Sequence, residues 1–295
     1  MANPAPPYGP QYGHGYAFPH PPPPDPPELP EQAARWPAWP WWYGPVGIVI
    51  GLMSTFLLVG IAGAIAAAAG ATEDELGDSK VFLQLGTVAQ QLLFIGAALL
   101  LASRTLRPRG WHFGLRRSRL WPTVGWAALG YLAYWVLAIT YVAIVRPDGE
   151  QKTLDDLGTG DGTLWLVAAA VLVIVAAPIA EEFFFRGFFY RALRTKLPVV
   201  AAALLVGTLF GAIHLGSTPL EILPPLIFLG VIFCLVYEKT GTLFSVIGLH
   251  ALNNTLAFGS GTGDWAVAGI VGVLMLTGCV VVPRLLKPSA DPAPA

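Results

Sequence analysis

Two adjacent carboxylates, Glu181 and Glu182, close a long apolar run that begins at Leu164, and Arg186 follows in the stretch AEEFFFRGFFYRALR. Two further pairs sit in apolar surroundings at a four-residue spacing. They are Phe210 with His214 in LFGAIHLG, and His250 with Asn254 in GLHALNNTLAF, where Asn253 stands beside Asn254. On a helix, residues four apart share a face. Glu182 and Arg186 can therefore neutralise each other as a supporting ion pair. Glu181 lies about 100° around the helix from Glu182, so the same arginine is poorly placed to serve both. A carboxylate without a counter-cation in a low-dielectric setting can take a proton and return it, the work of a general base. A histidine and an amide on one face, here His250 and Asn254, can donate together to a developing oxyanion. Each pair also has a plain structural reading, as an ion pair or an interhelical hydrogen bond. Ionisable groups in apolar spans are costly unless they pair or face water. One interior cavity fed by three helices is the economical arrangement, and it is the one expected here.

The elements that must position these groups are membrane spans. Apolar residues make up 55% of the 295 and charged residues only 12%, about half the share usual in a soluble domain. A span needs about 20 mainly apolar residues. Eight runs qualify or come close: Pro45 to Ala69, Val81 to Ala102, Leu120 to Val145, Leu164 to about Phe189, Val199 to Leu215, Ile222 to Tyr237, Leu243 to Phe258 and Trp265 to Val282. The fifth to seventh are short, and Pro224-Pro225 threatens the start of the sixth. The expected fold is an all-α membrane bundle of about eight transmembrane helices over residues 41–287. Gly47 to Gly51 in the first span is a candidate packing face.

Basic residues orient the bundle, because cytoplasmic loops carry the excess of Lys and Arg. Arg104, Arg107, Arg109, Arg116, Arg117 and Arg119 follow the second span, and Arg186, Arg191, Arg194 and Lys196 are counted to the loop after the fourth. The loops after the first and third spans are acidic, with Glu73, Asp74, Glu75 and Asp78, then Asp148, Glu150, Asp155, Asp156 and Asp161. A multi-pass protein of the cell membrane with both termini cytoplasmic is expected. Residues 1–40 hold a Pro-rich segment that cannot bury a core; it reads as a disordered cytoplasmic tail, with Pro-rich docking as the alternative. ARWPAWPWWY then reads as an interfacial aromatic belt, and residues 288–295 as a short C-terminal tail. Cys234 and Cys279 lie in apolar runs and should pack as small hydrophobes. A net charge of −1 argues against nucleic acid as a partner.

The three motifs, E-E-x-x-x-R, F-x-x-x-H and H-x-x-x-N in that order on successive apolar helices, resemble the CPBP family of intramembrane proteases. That family includes CAAX-prenyl endopeptidases and bacteriocin-processing and self-immunity proteins. The similarity runs from about residue 164 to 258 and includes the turn VYEKTGTLF. It implies an endopeptidase whose site opens toward the cytoplasmic leaflet and which cuts a peptide or protein substrate in or at the lipid bilayer. Carried onto this sequence, Glu181 activates water with help from His214, His250 and Asn254 hold the oxyanion, and Glu182, Arg186 and Phe210 support them. No cofactor is expected. Glu181, His214 and His250 could instead form a two-histidine, one-carboxylate set for a divalent metal such as zinc; no H-E-x-x-H helix is present. Two other readings stand beside this one: a non-catalytic scaffold or self-immunity protein of the same fold, and an ion-coupled transporter. Spans one to three contain no second copy of the motif, against the repeats usual in transporters.

Overall fold

The computed structural model describes residues 39–77, 79–147, 153–215 and 217–286. The Pro-rich tail as far as residue 38 and the C-terminal tail 288–295 lie outside them. The fold is an all-α membrane bundle. Eight longer helices follow in chain order: α1 (Tyr43–Ala68), α2 (Lys80–Ser103), α3 (Leu120–Val145), α4 (Thr163–Arg194), α5 (Val199–Ala212), α6 (Leu223–Thr240), α7 (Leu243–Thr262) and α8 (Trp265–Leu285). By length and composition, α1 to α4, α8 and the stretch Leu220–Thr240 are able to cross a membrane. Helix α5 is short, and α7 is diluted by His250, Asn253, Asn254 and its hydroxyl residues. No strand forms among the described residues.

Local chemistry sets the boundaries. Ser79 caps α2 by accepting from the Phe82 N–H, and Asp264 caps α8 by accepting from the Val267 N–H at 2.9 Å. Gly241 and Gly263 take left-handed conformations that end α6 and α7. Pro224 and Pro225 start α6 rather than break it, since the first helical turn needs no N–H from them. Helix α5 stops at Ala212, earlier than the apolar run suggests.

Helix α1 packs along α2, α3 and α5 along α6, and α7 along α8. Gly44, Gly47 and Gly51 form the buried face of α1, where Phe184, Phe188, Phe189 and Phe94 fill the space a side chain would need. The expected packing face is therefore used. Cys234 is buried in the core, as a small hydrophobe. The aromatic belt is only partly a belt. Trp41 and Trp42 are about half exposed, but Trp39 is fully buried against Phe113 and Phe188.

Hydrogen bonds define two ends of the bundle. At the end carrying the acidic loops, Lys80 pairs with Asp161 at 2.6 Å, Gln84 donates to the Leu157 carbonyl, and Tyr141 donates to the Glu221 carbonyl. At the arginine-rich end, the loop between α2 and α3 is latched onto the α6–α7 turn. Arg116 donates to the Gly241 carbonyl at 2.8 Å, Thr242 to the Arg116 carbonyl, the Leu243 N–H to the Gly114 carbonyl, and Tyr237 to the Phe113 carbonyl. Gly114, at φ +92°, makes the turn that allows this. His112 is buried in the latch, where its Nδ1 accepts from the Arg109 N–H at 2.9 Å. Burial, with the positive charges of Arg191, Arg109 and Arg116 behind it, pushes its pKa down to about 3.

Candidate active site

Helix α4 carries the two glutamates on a six-residue α-helical piece, Ala177–Glu182, flanked by wide π-helical stretches at Leu172–Ala176 and Phe183–Tyr190. The first stretch has a local cause. Ala177 donates to Leu172 five residues back, and in that register the Val173 carbonyl would need a donor at position 178. Position 178 is proline, which has no N–H. The donor comes instead from α7: Asn254 Nδ2 reaches the Val173 carbonyl at 2.9 Å. An interhelical amide thus repairs the backbone defect about two turns before Glu181.

Glu182 and Arg186 form the ion pair their spacing suggests. Arg186 donates to Glu182 Oε1 at 2.8 Å, and both side chains are completely buried. Its other terminal nitrogen donates to the Gly230 carbonyl at 2.9 Å, and the guanidinium lies 4.4 Å from the Phe210 ring centroid. His250 Nδ1 approaches the same Glu182 oxygen at 2.9 Å. A carboxylate accepts, so Nδ1 carries the proton, and Nε2 faces the other glutamate, 4.0 Å from Glu181 Oε2. Glu181 is served differently. Its Oε1 accepts from Gln91 of α2 at 3.3 Å, while Oε2 is buried with no hydrogen-bond partner.

His214 departs from expectation. Rather than lying within a span, it stands in the turn just beyond α5, where its Nδ1 bonds the Phe210 carbonyl at 2.8 Å. The ring still packs on Phe210, which also contacts His250.

The groups that the motifs single out come together. A cavity of about 440 Å³ is lined by Glu181, Phe210, His214, His250, Asn253 and Asn254. Glu182 and Arg186 lie behind this wall as a buried support. A second cavity of about 280 Å³ is lined by Glu181, His214 and Asn254 together with Gln90, Gln91 and Thr87. Glu181 therefore stands in a wall common to both. Among the described residues, no three His, Cys, Asp or Glu side chains converge as metal ligands would. Glu181, His214 and His250 as placed do not make the zinc set considered above.

Residues 163–256 match the family described as Type II CAAX prenyl endopeptidase Rce1-like. This chain carries an Rce1-like segment. The segment contains Glu181, Glu182, Arg186, Phe210, His214, His250 and Asn254, every residue singled out by the motifs. The chain is also 31% identical over 137 residues to the uncharacterised protein YyaK of Bacillus subtilis (strain 168). That match covers 43% of this chain and 44% of YyaK, so the chain spans less than half the length of this relative. No solved structure matches. Gln91, the direct partner of Glu181, lies outside the Rce1-like segment, and motif reading passes over it. Its signal is the amide pair Gln90-Gln91 in the middle of an apolar run, which a screen for ionisable groups ignores.

Proposed function

We propose that this protein is an intramembrane endopeptidase that hydrolyses a peptide bond of a membrane- or lipid-associated substrate with water activated by Glu181. The observation that carries the reading is Glu181 in the wall of a cavity shared with His214, His250 and Asn254, with its Oε2 bonded to no protein group. Water held at the Glu181 carboxylate gives its proton to that group as it attacks the peptide carbonyl. The protonated Glu181 then returns that proton to the departing amine, so the carboxylate is regenerated. Gln91 steadies Oε1. His214 orients the water from the rim of the cavity. The Asn254 amide, already fixed by its bond to Val173, has a second N–H for the oxyanion, and His250 adds a donor when Nε2 is protonated. Glu182 and Arg186 act through His250, holding its ring, and are positioning residues.

The site is proposed to work without a metal, since its donors are not gathered as ligands. The arginine-rich end, with both termini, is proposed to lie in the cytoplasm by the excess of basic residues there.

The test is cleavage of a peptide library, some members lipidated, by purified protein in detergent, with and without a strong chelator. Glu181→Gln should lose about 10²–10⁴-fold in kcat, the usual worth of a general base, while wild type keeps its activity with chelator. A fully active Glu181→Gln refutes the assignment, and loss of wild-type activity in chelator refutes the metal-free site.

A further inference from the structure

The two cavities at Glu181 lead to the same end of the bundle. Beyond the site residues, the larger is lined by Thr153, Leu154, Ser217, Thr218, Ser260 and Gly261, and the smaller by Thr153, Leu157 and Ser217. These residues come from the loops and helix ends that Lys80–Asp161, Gln84–Leu157 and Thr153–Ser217 tie together at the acidic end. Neither cavity is lined by a residue of the arginine-rich loops.

Along α4 the opposite direction is closed, and a separate cavity of about 560 Å³ between α3, α7 and α8, lined by Arg117, Ser118 and Arg284, meets the site cavity only at Trp135. From Phe184 to Arg194 every residue of α4 is buried, so the helix continues from the site into packed core instead of an opening. Phe113 and Trp39 cover it. The latch of Arg116, Tyr237 and Thr242 holds the covering loop down, so tightly that a Cβ on Gly187 would stand 2.9 Å from the Phe113 carbonyl oxygen.

The lysines and arginines fall on one side. Of the 14 among the described residues, only Lys80 and Arg146 lie at the cavity end. Asp155 and Asp156, both exposed, adjoin the rim residues Thr153 and Leu154. Under the positive-inside rule the arginine-rich end is cytoplasmic. Taking the endopeptidase reading above as given, we infer that the substrate reaches Glu181 from the non-cytoplasmic face of the membrane. Its class is then a polypeptide segment that emerges from the bilayer on that face, neutral or basic where it meets the rim, because an acidic rim disfavours anionic segments. This inverts the cytoplasmic opening that the family resemblance implies.

The experiment labels single cysteines in intact and permeabilised cells with a membrane-impermeant thiol reagent. Ser217→Cys and Ser260→Cys report the rim, and Lys196→Cys reports the arginine-rich end. The unaltered chain supplies the background from Cys234 and Cys279. Ser217→Cys and Ser260→Cys should label equally before and after permeabilisation, and Lys196→Cys only after it. The opposite pattern, or rim labelling confined to permeabilised cells, overturns the inference. A second arm reads activity with membrane-tethered reporters carrying the same cleavable segment on either face. Cleavage of the non-cytoplasmic reporter, blocked by the reagent in Ser217→Cys, supports the inference. Cleavage of the cytoplasmic reporter alone overturns it. If the labelling is as expected and neither reporter is cut, the endopeptidase reading fails while the direction of access stands.

Discussion

Replacing Arg186 by methionine tests whether the buried ion pair supports the site. The side chain is completely buried, bonds Glu182 Oε1 and the Gly230 carbonyl, and lies over Phe210. Methionine fills much of the space but leaves Glu182 with His250 as its one remaining hydrogen-bond partner. Removing one member of a buried pair costs about 3–5 kcal/mol, because a charge is left behind without compensation. The lost stacking on Phe210 adds up to about 2 kcal/mol. Glu182→Gln in the same chain removes the stranded charge and keeps an acceptor for His250 Nδ1. The double variant should therefore recover most of the loss, leaving about 1 kcal/mol for the lost bond to the Gly230 carbonyl, which keeps its helical partner. The assay is reversible unfolding in mixed micelles by increasing SDS, followed by tryptophan fluorescence, for wild type, both single variants and the double. A cost below about 1 kcal/mol for Arg186→Met, outside the range for a broken buried pair, would refute the reasoning. So would a double variant no more stable than the single.

Three further outcomes follow from other contacts. Asn254→Leu should destabilise by about 1–3 kcal/mol by orphaning the Val173 carbonyl, and Pro178→Ala should restore stability by returning a backbone N–H; micelle unfolding reads both. Gly207→Ala puts a Cβ 2.6 Å from the Val231 nitrogen, where only backbone can give way, so α5 and α6 must part. A loss of about 1–3 kcal/mol is expected, with reduced cleavage because Gly230 is both Gly207's neighbour and Arg186's acceptor. His112 stays neutral when folded, while the unfolded chain takes up a proton near its ordinary value of 6.5. Its contribution is therefore present above pH 6.5 and is lost as pH falls from there toward 3. His112→Asn should flatten that acid limb in melting curves recorded across the range, and an unchanged limb would assign it elsewhere.

Much of the site was legible because helical spacing carries spatial information. Glu182 with Arg186, and Phe210 with His214, are neighbours in the fold as their four-residue separation implies. The Glu181–Glu182 division of labour follows from the same geometry, since Arg186 reaches only one of them. Hydropathy could not show that α5 stops at Ala212, because the apolar run continues past the last helical turn. Nor could it show that Trp39 is core rather than belt, since both uses favour the same residue type. Asn254's bond to Val173 depends on a wide turn whose cause, Pro178, lies 76 positions away in sequence. The direction in which the cavity opens is set by where helix ends splay and where a loop is latched, which no periodicity records.

The wide turns of α4 bear on how this chain tolerates insertions and deletions. Each π stretch accommodates surplus backbone inside a helix that otherwise keeps its course. Losing one residue from Leu172–Ala176 would let that turn tighten to ordinary α geometry without breaking the helix. Everything downstream would then keep roughly its present face, because the tightened turn needs one residue fewer, and Glu181 would stay near the cavity wall and Arg186 near Phe210. Such a deletion would be nearly silent to hydropathy and to span counting. In this part of the chain a missing residue is thus a milder lesion than one lost from an ordinary α turn, where the downstream faces would rotate by about 100°, and chains that share the motifs but differ by one residue within Leu172–Ala176 can still share the site.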